Sequence, residues 1–120
     1  MGNFPIHAPW PGDRLPYFIY TEDDKEINIQ EKINGIGFML IIFTDNSLPQ
    51  DILGIIGKYN NAVFIETIPF KDETKSLYMH FGIENSGCYL IRPDMYIAYR
   101  SALINGQHLD TFLRQFLLVS

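Results

Sequence analysis

A single cysteine, Cys88, stands in a chain of 120 residues. One thiol excludes an intrachain disulfide, a CxxC redox pair and a cysteine-built metal cluster. Basic residues are also few, 9 against 14 acidic for a net charge of −5. They are scattered singly, which argues against nucleic acid or a membrane surface as partner. No apolar run reaches the roughly 18–20 residues of a transmembrane helix, and the start lacks the basic-then-apolar profile of a signal peptide. The default reading is a cytoplasmic protein. No Gly-x-Gly-x-x-Gly follows a strand, since Gly35-Ile36-Gly37 precedes one, and no Gly-x-Ser-x-Gly elbow occurs. Dinucleotide-binding and elbow-type hydrolase classes fall away, and no cofactor is expected. His7, His80 and His108 share no ligand spacing, so no metal site is expected, and Glu22, Asp23, Asp24 and Glu26 read as a solvated acidic loop.

What is present is a core. With 47% apolar and 14% aromatic residues, the chain can bury one hydrophobic interior and is too short for two. Residues 1–16 hold Pro5, Pro9, Pro11 and Pro16, which forbids a regular helix and predicts an extended lead-in stapled to residues 17–120 by Phe4, Ile6 and Trp10. Tyr17–Tyr20 is expected as a short strand and Thr21–Glu26 as a turn. Ile27–Ile33 is open between strand and helix, with helix favoured near Gln30–Ile33. Gly37–Thr44 is a continuous apolar run between glycine and Asp45-Asn46-Ser47, the pattern of a parallel strand covered on both faces. Ser47 is the expected N-cap of the next helix, with Pro49 in its first turn and Ile52, Leu53, Ile55 and Ile56 as its stripe. Ala62–Ile68 returns as a strand, Pro69–Glu73 loops, and a short helix spans Ser76–Phe81. Two apolar runs joined by Arg92-Pro93-Asp94-Met95 form a hairpin. A last amphipathic helix, Gln107–Leu118, carries Leu109, Phe112, Leu113, Phe116 and Leu117 on one side.

The hairpin also carries a family likeness. Leu90-Ile-Arg-Pro-Asp-Met-Tyr-Ile-Ala-Tyr-Arg100 resembles the Leu-Val-Arg-Pro-Asp-Gly-Tyr-Val-Ala-Trp-Arg hairpin that closes the C-terminal domain of phenol hydroxylase-type FAD-dependent aromatic-ring monooxygenases. Gly12-Asp-Arg-Leu-Pro16 is similar to the Gly-x-Arg-x-Pro that begins the same domain. The resemblance therefore rests on Gly12, Arg14, Pro16, Arg92, Pro93, Asp94, Tyr96 and Arg100, with Met95 in place of glycine and Tyr99 in place of tryptophan. It implies an α/β thioredoxin-like fold with a central mixed sheet, a βαβαββα core and an N-terminal extension, lying apart from the flavin. The element order agrees, and the first crossover should be right-handed.

In a redox-active thioredoxin the dithiol lies where the first core strand turns into its helix. Here Ser47 and Gln50 take those two places with Pro49 between them, and Gly87 takes the place of the cis-proline before the hairpin. Without a thiolate at that helix terminus, disulfide exchange cannot run there. Cys88, opening an apolar strand, reads as a buried core residue. The Arg92–Asp94 pair reads as a turn pin, and Met95 is expected at the second central turn position with positive φ. The implied function is a catalytically silent accessory or interaction domain working with a separate flavoprotein or as a homodimer. The alternative is a small-molecule-binding protein or enzyme using Thr44, Asp45, Ser47, Pro49, Gln50 and Gly87 as a pocket. Self-association is expected through Met95–Arg100, an outer strand offering Tyr96, Ile97 and Tyr99, or through a helix face beside it.

Overall fold

The fold follows from a computed structural model that describes residues 4–59, 61–115 and 117. Phe116 and Leu118, expected on the last helix, lie outside the described residues, as does the side chain of Ile56. A β-hairpin comes first, β1 (Ile19–Glu22) and β2 (Lys25–Asn28), paired antiparallel. The expected strand thus moves two residues on, and the acidic turn shrinks to Asp23-Asp24, both left-handed with φ of 52° and 65°. Such turns suit two-residue hairpins because their twist matches the strands. Asn28 closes β2 and caps a 3-10 turn over Ile29–Lys32, accepting the Gln30 N–H while Glu31 accepts the Asn28 N–H. That reciprocal box resolves the open segment, strand first and helical turn after.

The main sheet holds β3 (Phe38–Phe43), β4 (Val63–Ile68), β5 (Gly87–Ile91) and β6 (Ile97–Ser101) in the order β4-β3-β5-β6. β3 and β4 are parallel, and the other pairs are antiparallel. Helix α1 (Gln50–Lys58) makes the crossover, α2 (Lys75–His80) precedes β5, and α3 (Gly106–Leu113) follows β6. This is the mixed sheet and element order expected of a thioredoxin-like core.

Alternation along β3 explains its unbroken hydrophobicity. Leu40 and Ile42 face a core shared with Ile52, Ile55, Leu109 and Leu113 of α1 and α3. Met39, Ile41 and Phe43 face a second core made with Leu15, Tyr20, Ile29, Leu77, Phe81 and Tyr89. A strand buried on both faces has no polar positions to alternate with. On the helix side, Asp110 fastens α3 to the end of α1 by accepting from Tyr59 Oη at 2.5 Å and Lys58 Nζ at 2.8 Å.

Three expected boundaries shift. Ser47 does not cap α1; the cap is Pro49, extended at φ −60° and ψ 151°, with no side-chain bond. Proline bars the residue before it from helical geometry, so the helix starts only at Gln50. The last helix begins at Gly106 behind an Asn105 cap that accepts the His108 N–H, and its regular turns end at Leu113. Of the three expected staples in the lead-in, Phe4 packs on the core and Trp10 packs on an arginine, but Ile6 is 91% exposed. The buried anchor is Leu15 instead.

Candidate functional site

The corner between β3 and α1 is tied down by backbone-directed polar contacts. The Thr44 N–H reaches the Ile68 carbonyl at 3.3 Å, and its hydroxyl accepts the Asn46 N–H at 3.1 Å. Asp45 accepts the Phe70 N–H at 2.7 Å. Thr44 is buried, whereas Asp45, Ser47, Pro49 and Gln50 are exposed. Gly87 pairs with Phe43 across the sheet, so the two halves of the expected site are neighbours. There is no spare room at Gly87. A Cβ there would lie 2.7 Å from Ile83 Cδ1 and 3.0 Å from the Ser101 carbonyl oxygen. Cys88 follows it, 4% exposed, and burial pushes its thiol up to about 12. A thiol so placed is a packing group, since reactivity requires the thiolate.

Among the described residues no group of three His, Cys, Asp or Glu side chains is placed to hold a metal ion, and no helix is long and apolar enough to cross a membrane. Three clefts have none of the six expected pocket residues in their lining, although the second reaches Ser86 and Ala102 beside Gly87. One of about 490 Å³ is lined by Phe4, Pro5, His7, Met79, Ile83 and Glu84. A neighbouring one of about 290 Å³ shares Phe4, Gly82, Ile83 and Glu84 with it. A third, of about 480 Å³, includes Gly12, Arg92, Ile97 and Phe112.

The motif residues, far apart in sequence, meet. The Gly12 N–H donates to the Ile97 carbonyl and the Ile97 N–H to the Asp13 carbonyl, each at 2.8 Å, and the Leu15 N–H reaches the Met95 carbonyl at 2.8 Å. Arg14 bridges Tyr96 in this ladder. Gly12 adopts φ +97°, a conformation that glycine takes at no steric cost. The lead-in therefore lies antiparallel along Met95–Ile97 through one β-bridge and its flanking backbone bonds. This corrects the expectation that Met95–Arg100 presents a free outer edge; its first half is already paired.

Arg100 locks the same arm. Its guanidinium lies 4.2 Å from the Phe4 ring centre and 4.3 Å from that of Trp10, and Nη1 donates to the Pro9 carbonyl at 2.5 Å. It is 6% exposed, so two aromatic rings and backbone carbonyls replace the water that its charge would otherwise hold. Tyr99, counted as an interface residue from sequence, packs on Phe112 with ring centres 5.0 Å apart.

The turn holds one more correction. The Met95 N–H donates to the Arg92 carbonyl at 2.9 Å, so Pro93 and Asp94 are the central residues and Met95 comes fourth. Its φ is +80°, positive as expected. A turn followed by one left-handed residue is a standard way to close a three-residue hairpin loop, and the left-handed place is where the family pattern carries glycine. Arg92 and Asp94 form an ion pair across the turn, each side chain half exposed, which makes it a local pin of small energetic weight.

The family's sequence profile, described as aromatic-ring hydroxylase, C-terminal, matches residues 8–117. The chain belongs to the aromatic-ring hydroxylase C-terminal family. No curated protein matches it. Among solved structures, aklavinone-11 hydroxylase in a complex with FAD and aklavinone aligns at TM-score 0.64 with 19% identity, over 84% of this chain and 20% of that one. The flavin-dependent monooxygenase PieE, in complex with FAD and substrate, aligns at 0.66 with 17% identity, over 91% of this chain and 20% of that one. The aromatic-ring hydroxylase C-terminal domain described here thus spans about one fifth of the length of those hydroxylases. A putative thiol:disulfide interchange protein DsbE from Chlorobium tepidum aligns at 0.67 with 10% identity, over 90% of this chain and 98% of that one. The fold of this family member is thioredoxin-like.

Sequence reasoning missed Leu15, Ala8 and Pro9, which carry the arm's burial and its carbonyl acceptors. Proline density pointed to the arm but gave no periodicity from which to read its inward face. It also missed Lys32, which bonds Glu22 at 2.9 Å and Glu66 at 3.2 Å and so links the first hairpin to β4. Burial alone would lower the Lys32 pKa; the two carboxylates and Tyr20 raise it instead.

Proposed function

We propose that this chain is a catalytically silent, thioredoxin-like accessory domain of the aromatic hydroxylase type. In this reading it carries no dithiol chemistry and no cofactor of its own, works in the cytoplasm, and associates with a separate flavoprotein or with a second copy of itself. One observation carries it: the two family motifs are spent on each other, arm against hairpin, while the corner that bears thiols in a redox-active thioredoxin bears Ser47 and Gln50. Insulin reduction with dithiothreitol should match the buffer control, and turnover abolished by Cys88→Ser would refute silence. Added to a family hydroxylase lacking its own last domain, the chain should raise that enzyme's melting temperature. An unchanged melt would count against the flavoprotein partner.

The second reading, a small-molecule pocket at Thr44–Gln50 beside Gly87, is favoured by the pairing of Phe43 with Gly87. It is opposed by the filled space at Gly87. Chemical-shift perturbation confined to Thr44, Asp45 and Gly87 on adding a ligand library would support it.

A further inference from the structure

We propose that β4 is the self-association edge of this protein, pairing antiparallel with β4 of a second copy about a twofold axis at Ile65. The proposal rests on the self-association part of the function inferred above and moves it to the opposite edge of the sheet. The sheet has two outer strands, β4 and β6. The first half of β6 is capped by the arm through Gly12, Asp13 and Leu15. Among the described residues, β4 pairs with β3 alone.

Ladder parity shows which of its groups are open. Phe38 donates to Ala62 and Thr44 to Ile68, both backbone to backbone. The even residues of β4 therefore bond β3 along the parallel register, and Val63, Ile65 and Thr67 turn their backbone outward. The Val63 N–H is taken by the Tyr59 carbonyl at 3.1 Å. The outward Val63 carbonyl, both Ile65 groups and both Thr67 groups have no partner among the described residues. An edge of this kind is a template for another strand, and natural proteins blunt it with lysine, proline or a bulge. Val63–Ile68 contains none of the three.

The open groups are complementary to themselves. With the axis at Ile65, each Ile65 N–H meets the carbonyl of the partner's Ile65, and each Thr67 N–H meets the carbonyl of the partner's Val63. The occupied Val63 N–H is the donor this register can spare most easily, leaving only the Thr67 carbonyl to water. Phe64 then stands opposite the partner's Glu66, so the two glutamates do not face each other. Glu66 is already paired with Lys32 at 3.2 Å, which removes the one charge on the strand that would repel a copy. A second copy therefore fits this edge without a new unpaired charge.

The test is sedimentation equilibrium of the full chain, joined to amide hydrogen exchange at low and high concentration. A dimer is expected, with exchange at Ile65 and Thr67 slowed by about tenfold or more as it forms. Thr67→Lys, at an exposed position, should weaken the dimer by about tenfold or more while the thermal melt of the monomer holds. Ile65→Pro, which removes an outward N–H together with a side chain packed on the core, should abolish it, with Ile65→Ala as the control for the lost packing. Tyr96→Lys on β6 should leave it unchanged. A dimer whose β4 amides exchange as fast as in the monomer, or one insensitive to Thr67→Lys, overturns this edge and leaves self-association standing. A monomer at every concentration overturns both.

Discussion

The hairpin turn and the α1 corner lie at opposite ends of the sheet, since Met39 pairs with Ile91 near the turn and Phe43 with Gly87 at the corner. Around the hairpin, main-chain bonds from Gly12, Leu15 and Ile97, two aromatic rings and an arginine converge in a buried lock. At the corner, Ser47, Pro49 and Gln50 stand in solvent ahead of and at the start of a helix with no side-chain cap. In this family member the recognisable residues are therefore the ones that hold the arm to the sheet. The place where a redox-active thioredoxin does its chemistry bears the exposed Ser47 and Gln50.

Breaking that contrast starts with the thiol beside the corner. Burial raises Cys88 from 9.0 to about 12. Labelling by a disulfide reagent at pH 8 should therefore run about a thousandfold slower in the folded chain than in urea, following the thiolate fraction. The sign for stability is set by the same shift. Above pH 9 the unfolded chain loses the proton that the folded one keeps, so the contribution of Cys88 falls as pH rises from 9 towards 12. Fast labelling at pH 8 would show that Cys88 is reactive where it stands. Next comes the lock: Arg100→Ala should cost about 3 kcal/mol or more in urea melts, from two lost cation–π contacts and two carbonyls left unmet. A loss under about 1 kcal/mol would mean that the arm is held by Leu15 alone.

Gly87→Ala tests the corner from the inside. The new methyl must displace the end of Ile83 and press on the Ser101 backbone, which should cost about 1–3 kcal/mol. A neutral result would reveal space for a ligand. Met95→Gly should fall within about 1 kcal/mol of zero, because relief of the left-handed strain is offset by contacts of a side chain half-buried against the core. The smallest effect is expected for Ser47→Ala, within about 0.5 kcal/mol by thermal or urea melt, since its side chain is exposed and does not cap α1. A larger cost would give the corner a structural role that it otherwise lacks.

Much of the core was legible because burial on two faces writes itself into a strand, as in Phe38–Phe43, and burial on one face into a helix, as in Leu109 and Leu113. Positive φ at Met95 was legible from the glycine that the family carries there. Its place in the turn was not, because Pro93-Asp94 can be read with either residue pair at the centre until the Arg92–Met95 bond is seen. Ser47 failed as a cap because a local preference for serine competed with the bar that Pro49 sets on Leu48. The burial of Arg100 was not legible, because arginine is rarely buried. Only the fold brings Phe4 and Trp10 to it. Leu15, a single apolar residue between Arg14 and Pro16, offered no period at all. Of the expected pocket, the adjacency of Thr44 and Gly87 was legible from the fold class, and the filled space at Gly87 was not.

The arm also fixes an order of events in time. Gly12 and Ile97 are separated by most of the chain, and the strand that Gly12 pairs with exists only once β5 and β6 have come together. Contacts of such long sequence separation close late on the way to the folded state. Late contacts govern how long a folded molecule lasts more than how quickly it forms. Loosening the lead-in, for example by Leu15→Ala, is therefore expected to speed unfolding more than it slows folding.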